Sequence, residues 1–204
     1  GAVPIRPQLP GMESKRIHTL RTVEDTLRIR EEAKRENVKT VAVVGGGFIG
    51  VEMAENLLGL GLKVSLIQLD DQILTPIDRD MASFLHAHMR AKGVELLLGR
   101  KVTGFEETET GLAVLLEGSA SLRVDMAVFA IGVVPESALA KAAGLELGVK
   151  GSISVNERMQ TSDPDIYAVG DARKKGLRQI VTAASDGAIA AGAIIRYIAG
   201  KKRR

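Results

Sequence analysis

The chain has 204 residues, near-average apolar (45%) and charged (26%) content, and few aromatics (3%). Its core must therefore be aliphatic, in one large domain or two small ones. It contains no cysteine, which excludes disulfides, thiolate metal sites and thiol chemistry by this chain. The net charge of +3 is unevenly placed: residues 1–171 carry 19 basic against 24 acidic groups, and 172–204 carry 9 against 1.

The opening stretch "GAVPIRPQLPGMES" holds three of the six prolines and reads as an extended connector without a signal-peptide layout. In "TVEDTLRIREEAKREN", Thr22 and Asp25 have capping-box spacing, which predicts a helix over 23–36. "TVAVVG" (40–45) is short, apolar and β-branched, as a buried parallel strand should be. "FIGVEMAENLLGL" has helical spacing and stops at Gly61, and "KVSLIQL" (63–69) is a second strand. "DRDMASFLHAHMRAKG" is a second helix, with Asp78 as N-cap and Gly93 beyond its end, and "VELLLG" (94–99) is a third strand. The order so far is βαβαβ.

The period then changes. Residues 101–124 read as an antiparallel meander, and "DMAVFAIG" (125–132) as another buried strand. "SALAKAAGLEL" predicts a short helix, strands are expected near 153–155 and 165–169, and "LRQIVTAASDGAIAAGAIIRYIAG" predicts a long helix. No run of about 18 apolar residues suggests a membrane span, so a cytoplasmic protein without membrane attachment is expected. The basic "GKKRR" end lacks the aromatic interleaving of a nucleic-acid site and reads as a solvated tail.

Gly45, Gly47 and Gly50 form G-x-G-x-x-G in the required context of strand, loop, helix and second strand. The first glycine permits a sharp turn, the second lets backbone approach a pyrophosphate, and the third lets helix and strand pack closely, with Ala54 as a further small residue. The helix N-terminus then offers N–H groups to phosphates. Gly46, Phe48 and Ile49 complete the loop. An acidic residue about 20 positions on usually holds the ribose of NAD. Gln68, Leu69 and Asp70 occupy that place, and no arginine lies between Gly50 and Arg79 to clamp a 2′-phosphate, although Lys63 lies in the stretch. NAD is favoured over NADP. The histidines offer no catalytic base or metal site: His18 lies in the connector, and His86 and His88 point to different helix faces.

"VVGGGFIGVEMAENL", "QILTPIDRDMA", "KGVELLLG", "AIGVVPE" and "TSDPDIYAVGDA" together resemble the pyridine nucleotide–disulfide oxidoreductases, in particular the coenzyme A-disulfide reductase and NADH oxidase branch. The tail with Arg178 and Gln179 resembles thioredoxin reductases. The resemblance implies an FAD domain interrupted by an NAD(P)H domain, with hydride passing from nicotinamide to flavin. It implies that Gly45, Gly47 and Gly50 hold the NAD pyrophosphate, that Phe48 is an aromatic gate over flavin, and that Glu52 lies near the nicotinamide. It further implies a turn at Gly132 after the last strand of the NAD domain. Gly170 and Asp171 would bond the FAD ribityl chain, and Arg178 and Gln179 would touch flavin. Members of the family also carry an earlier glycine loop for FAD and a redox cysteine, neither of which is present, and Gln68 stands where relatives often have Glu.

The expected architecture is α/β: a Rossmann-like three-layer NAD(P)H domain over 36–133 with an antiparallel meander, flanked by FAD-side segments at 1–35 and 134–204. The expected function is the NAD(P)H-binding part of an FAD-dependent disulfide reductase or NADH oxidase. The alternative is a non-catalytic dinucleotide-binding module or a subunit needing a partner chain for flavin. Expected partners are a small-molecule dinucleotide, a separate FAD-domain chain and further copies of the chain in a homo-oligomer.

Overall fold

The computed structural model describes residues 1–201. Lys202, Arg203 and Arg204 of the basic tail lie outside the described residues. The chain divides into two compact units, Pro4–Gly132 and Gly1–Val3 with Val133 onward.

After β1 (Ala2–Pro4), the larger unit runs β2 (Ile17–His18), α1 (Val23–Ala33), β3 (Thr40–Val44), α2 (Phe48–Gly59), β4 (Lys63–Ile67), α3 (Arg79–Ala91), β5 (Glu95–Leu97), β6 (Val102–Glu107), β7 (Leu112–Leu116), β8 (Leu122–Val124) and β9 (Met126–Phe129). Five strands form a parallel sheet in the order β2-β9-β3-β4-β5. β6, β7 and β8 form a separate antiparallel sheet.

The alternation of side chains along a strand explains how β3 serves two cores. Val41 and Val43 join Ile29, Ala54, Leu57, Leu66 and Val128 in one cluster with the helices. Ala42 and Val44 join Ile67, Phe105, Val114 and Phe129 in a second cluster with the meander. Phe105 and Phe129 meet edge to face at 6.1 Å, the geometry their ring quadrupoles favour. The result is three layers: helices, parallel sheet and antiparallel sheet.

Local chemistry sets the helix ends. The Thr22 side chain accepts from the Asp25 N–H at 3.2 Å, and Asp25 accepts in return from Thr22 N–H at 3.0 Å, as a capping box requires. α1 ends at Ala33, earlier than the expected 36. Asp78 occupies the N-cap position of α3, but its side chain makes no cap bond; Asp80 instead accepts from the Met81 N–H at 2.8 Å.

Ile17–His18 pairs with Ala127–Val128 of β9, and Ile29 and Ala33 enter the helix-side core. Burial of these apolar residues against the sheet draws the segment into the larger unit.

The smaller unit holds β10 (Val133–Pro135), paired with β1, then α4 (Ala138–Ala142) and α5 (Ile180–Lys201). The strands expected near 153–155 and 165–169 are isolated bridges, at Leu147–Ile153, Ile153–Arg173 and Gln160–Tyr167. Polar side chains satisfy the backbone locally there. Asn156 Oδ1 accepts from the N–H groups of Arg158 (2.9 Å) and Gln160 (3.1 Å), and the Thr161 hydroxyl donates to the Ile166 carbonyl (3.0 Å). Such bonds compete with a ladder. Among the described residues, no helix is long and apolar enough to cross a membrane.

Candidate functional site

The glycine loop lies at the carboxyl end of β3. On one side of β3 the chain continues through α2 to β4, and on the other side it returns later as β9. Such a reversal of strand order opens a crevice at the carboxyl ends, where open α/β sheets take ligands.

Each glycine answers a steric demand that the structure makes visible. Gly45 has φ +110°, and a Cβ there would sit 2.6 Å from the Ala130 carbonyl carbon and 2.9 Å from Ile131 N. A Cβ on Gly50 would collide with the Gly45 carbonyl, so the third glycine brings α2 against its own entry turn. A Cβ on Gly46 would meet Ile73 Cγ2 at 2.6 Å. Gly47 is different: a Cβ there meets nothing within 4 Å. Protein packing does not explain the glycine at 47.

α2 begins with an open N-terminus. Its N-cap, Gly47, makes no side-chain cap bond, and its first turn has no acidic residue. The ladder starts with Val51 N–H donating to Gly47 O at 3.0 Å. The N–H groups of Phe48, Ile49 and Gly50 precede that bond and have no intrahelical carbonyl. With the helix dipole, they form an anion-attracting end. Phe48 is 61% exposed, and Ile49 is half-buried. Glu52 is one turn beyond Phe48 on the same helix face, exposed.

Gln68 bridges the loop and the residue two positions on. Its Oε1 accepts from the Gly46 N–H at 2.7 Å, and its Nε2 donates to Asp70 Oδ2 at 2.8 Å. The amide thereby ties the loop to the end of β4 and leaves the Asp70 carboxylate as the anionic group there. Leu69 between them is 63% exposed. Asp71 pairs with Arg79. His86 Nε2 accepts from the Ile73 N–H at 3.2 Å, and its desolvation depresses the imidazole pKa. That histidine therefore supports the loop beside Gly46 as a neutral acceptor. Gly132 (φ +120°) follows β9, and its carbonyl accepts from the Ile5 N–H at 3.0 Å.

The structure thus brings Gly45, Gly46, Gly47, Phe48, Ile49, Gly50, Gln68, Leu69 and Asp70 together around one loop, with Ala130–Gly132 beside Gly45. A recess of about 410 Å³ lies elsewhere in this unit, lined by Arg6, Lys15, His18 and Arg28 among others, and no predicted site residue lines it. Among the described residues there is no cluster of metal-ligating side chains.

Gly170, Asp171, Arg178 and Gln179 belong to the smaller unit. Gly170 (φ +71°) and Asp171 form a 3-10 turn with Ala172. Asp171 Oδ1 is buried and has no hydrogen-bond partner among the described residues. The Arg178 guanidinium donates to the Asp171 carbonyl at 3.5 Å, a long contact. The Gln179 N–H donates to the Thr182 hydroxyl oxygen at 3.2 Å, just before α5. Sequence reasoning missed Asp186, which is 3% exposed and pairs with Arg173 and Lys175. The hydrogen bond from Arg173 dominates its pKa, holding the carboxyl well below the usual range despite burial. Three charges at 173, 175 and 186 follow no helical or strand period, so pattern alone does not pair them.

The sequence model described as pyridine nucleotide-disulphide oxidoreductase matches residues 1–187. An NADH oxidase of Methanocaldococcus jannaschii is 40% identical over 175 residues, 84% of this chain and 38% of that protein. The crystal structure titled reduced Bacillus anthracis CoADR-RHD is similar with a TM-score of 0.90 and 44% identity, over 95% of this chain and 36% of that one. A NAD-dependent persulfide reductase from A. fulgidus is similar with a TM-score of 0.86 and 33% identity, over 93% and 37%. The chain therefore spans well under half the length of these relatives.

Proposed function

The chain belongs to the pyridine nucleotide-disulphide oxidoreductase family, and from that premise we propose that it is the NAD(P)H-binding part of an FAD-dependent reductase or oxidase that passes hydride from NADH to FAD. The observation that carries the reading is Gly47: a glycine at an open helix N-terminus, where no protein atom would obstruct a side chain. Space kept clear beside unpaired N–H groups fits a pyrophosphate.

The nucleotide domain in this reading is the unit Pro4–Gly132, with the smaller unit contributing to the FAD side. Gly45, Gly46 and Gly50 shape the loop, and the N–H groups of Gly47, Phe48, Ile49 and Gly50 receive phosphate oxygens. Asp70, oriented by Gln68, accepts from the ribose hydroxyls. A carboxylate there repels a 2′-phosphate, which favours NADH over NADPH. Leu69 flanks the adenosine side with exposed hydrocarbon. Phe48 supplies an exposed aromatic face at the loop, and Glu52 a carboxylate one turn further, near the nicotinamide. Gly132 permits the positive-φ turn that follows β9.

An observation at Asp171 supports the flavin side of this reading. A buried carboxylate oxygen without a donor is costly, and a ribityl hydroxyl would supply one. Gly170 permits the turn that carries Asp171, while Arg178, which donates to the Asp171 carbonyl, and Gln179 would touch the flavin. When bound, the two cofactors supply the hydride donor and acceptor. The chain's own residues bind, orient and exclude water.

The test is a visible absorption spectrum of the purified chain after incubation with FAD and removal of unbound flavin. The expected result is a flavin band that NADH bleaches without oxygen. A colourless protein that still binds NADH would replace this reading with that of a dinucleotide-binding module. A protein that binds neither would end both.

A further inference from the structure

The turn that carries Asp171 is gripped on both sides by one buried carboxylate. Asp186 lies on α5 and accepts four bonds. Its Oδ2 takes the Gly170 N–H (3.0 Å), Arg173 Nε (2.7 Å) and Lys175 Nζ (3.0 Å), and its Oδ1 takes Arg173 Nη2. Gly170 immediately precedes Asp171, and Arg173 follows two residues later. The Lys175 side chain is only 4% exposed.

The remaining backbone of the turn is tied as well. The Ala172 carbonyl accepts from Ile153 N–H at 2.9 Å, and the Ile153 carbonyl from Lys174 N–H at 2.9 Å. Asp171 Oδ1, by contrast, is buried without a partner. A buried lysine and a half-buried arginine on one carboxylate are a poor way to gain stability, because desolvation opposes the attraction and an apolar trio of similar volume often does as well. What such a network does supply is one fixed geometry.

We propose that Asp186, through Arg173, Lys175 and the Gly170 N–H, is a positioning residue that sets Asp171 to receive a hydroxyl group of the flavin's ribityl chain. The inference rests on the flavin reading above. Pre-set geometry matters because a carboxylate a fraction of an ångström out of place loses most of a directional hydrogen bond.

The experiment uses the full chain with and without FAD, in the wild type, Asp186→Asn, Asp171→Asn and the double variant. A further variant, Arg173→Met/Lys175→Met/Asp186→Leu, removes all three charges together and leaves none buried alone, so folding is retained. Without FAD, the Gly170 amide should exchange at least about tenfold faster in Asp186→Asn and in the apolar variant, while amides of β3 keep their rate. With FAD, each should bind flavin about tenfold more weakly. Loss of Asp171 should cost little more once Asp186 is gone, because the two act as one unit.

Additive losses in the double variant would overturn the proposal, and so would unchanged FAD affinity beside faster exchange. If the wild type takes up no FAD, the flavin reading fails by itself. Exchange at Gly170 then decides whether Asp186 positions the turn: unchanged exchange rejects it, and faster exchange confined to the turn supports it for another hydroxyl-bearing ligand.

Discussion

In the larger unit, the loop Gly45–Gly50 is held by hydrocarbon, backbone and the neutral Gln68 amide. The Gly45 N–H donates to the Ile67 carbonyl at 2.8 Å, the Gly46 carbonyl accepts from Leu74 N–H at 2.7 Å, and the fully buried Ile73 packs against Gly46. In the smaller unit, the turn Gly170–Ala172 is held by charge, through one carboxylate and two cations. Both arrangements leave polar groups unsatisfied at the end of an element: N–H donors in the first, a carboxylate acceptor in the second. A donor site suits phosphate and an acceptor site suits hydroxyl. Backbone supplies the first without any particular side chain. The second needs a named acid and something to aim it.

The comparison breaks most readily at the loop. Gly50→Val forces a side chain into the Gly45 carbonyl, so it should destabilise the chain by about 1–3 kcal/mol or more and abolish NADH binding. Gly47→Val meets no protein atom. It should cost under about 1 kcal/mol as an N-cap change, yet weaken NADH binding at least about 100-fold, as expected for losing roughly 3 kcal/mol of charge-assisted bonds. Urea unfolding and calorimetric titration separate the two effects. If Gly47→Val bound NADH like the wild type, the loop would be a structural turn and not a phosphate site.

The same contrast explains what could be read in advance. The loop was legible because glycine requirements are written at fixed spacing between a β-branched run and a helical period. β3, β4 and β9 were legible because buried parallel strands are continuous apolar runs. The place of Ile17–His18 was not, since its pairing with Ala127–Val128 is between residues far apart in sequence and the strand is only two residues long. The bond from the Gly46 N–H to Gln68 Oε1 was not legible, because the direction of an amide depends on donors that only the fold assembles. The bridges near Ile153 and Tyr167 looked like strands because both stretches are short and carry β-branched or aromatic residues. Asn156 and Thr161 then capture the backbone that a ladder would have used. The Asp186 network has no period at all and becomes visible only when α5 meets the turn.

A second carboxylate sharpens the distinction. Asp125 sits at the start of β9 and accepts from the N–H groups of Lys39 and Thr40 and from the Thr40 hydroxyl, each at 2.8 Å. Burial by itself would raise its pKa, but these donors overcome that and hold it below the usual carboxylate value. A folded-state pKa below the unfolded one stabilises the protein fully above the unfolded value of about 4. That contribution is lost as pH falls through the folded value. Asp125→Asn should cost about 1–3 kcal/mol at neutral pH, by leaving N–H groups poorly paired, and the gap from wild type should narrow below about pH 4. Urea midpoints measured across pH test this. A pH-independent gap would mean that shape and not charge holds β3 to β9.

The smallest expected effect concerns α1, whose N-cap side chain bonds its first turn whereas those of α2 and α3 make no cap bond. Only Ile29 and Ala33 of its eleven residues are buried, and a helix of this length is marginal without packing or end bonds. Thr22→Ala removes the acceptor for the Asp25 N–H and should cost about 1 kcal/mol, the typical value for an N-cap. Faster amide exchange should be confined to Val23–Ala33, and NADH affinity should not change, because the proposed phosphate donors belong to α2 and the loop before it is shaped by Gly45, Gly50 and Ile73. A loss of affinity in Thr22→Ala would show that the edge of the sheet, through β2 and β9, also bears on the loop. The glycine site would then depend on long-range packing as the Asp171 turn depends on Asp186, and the contrast between the two would be one of degree.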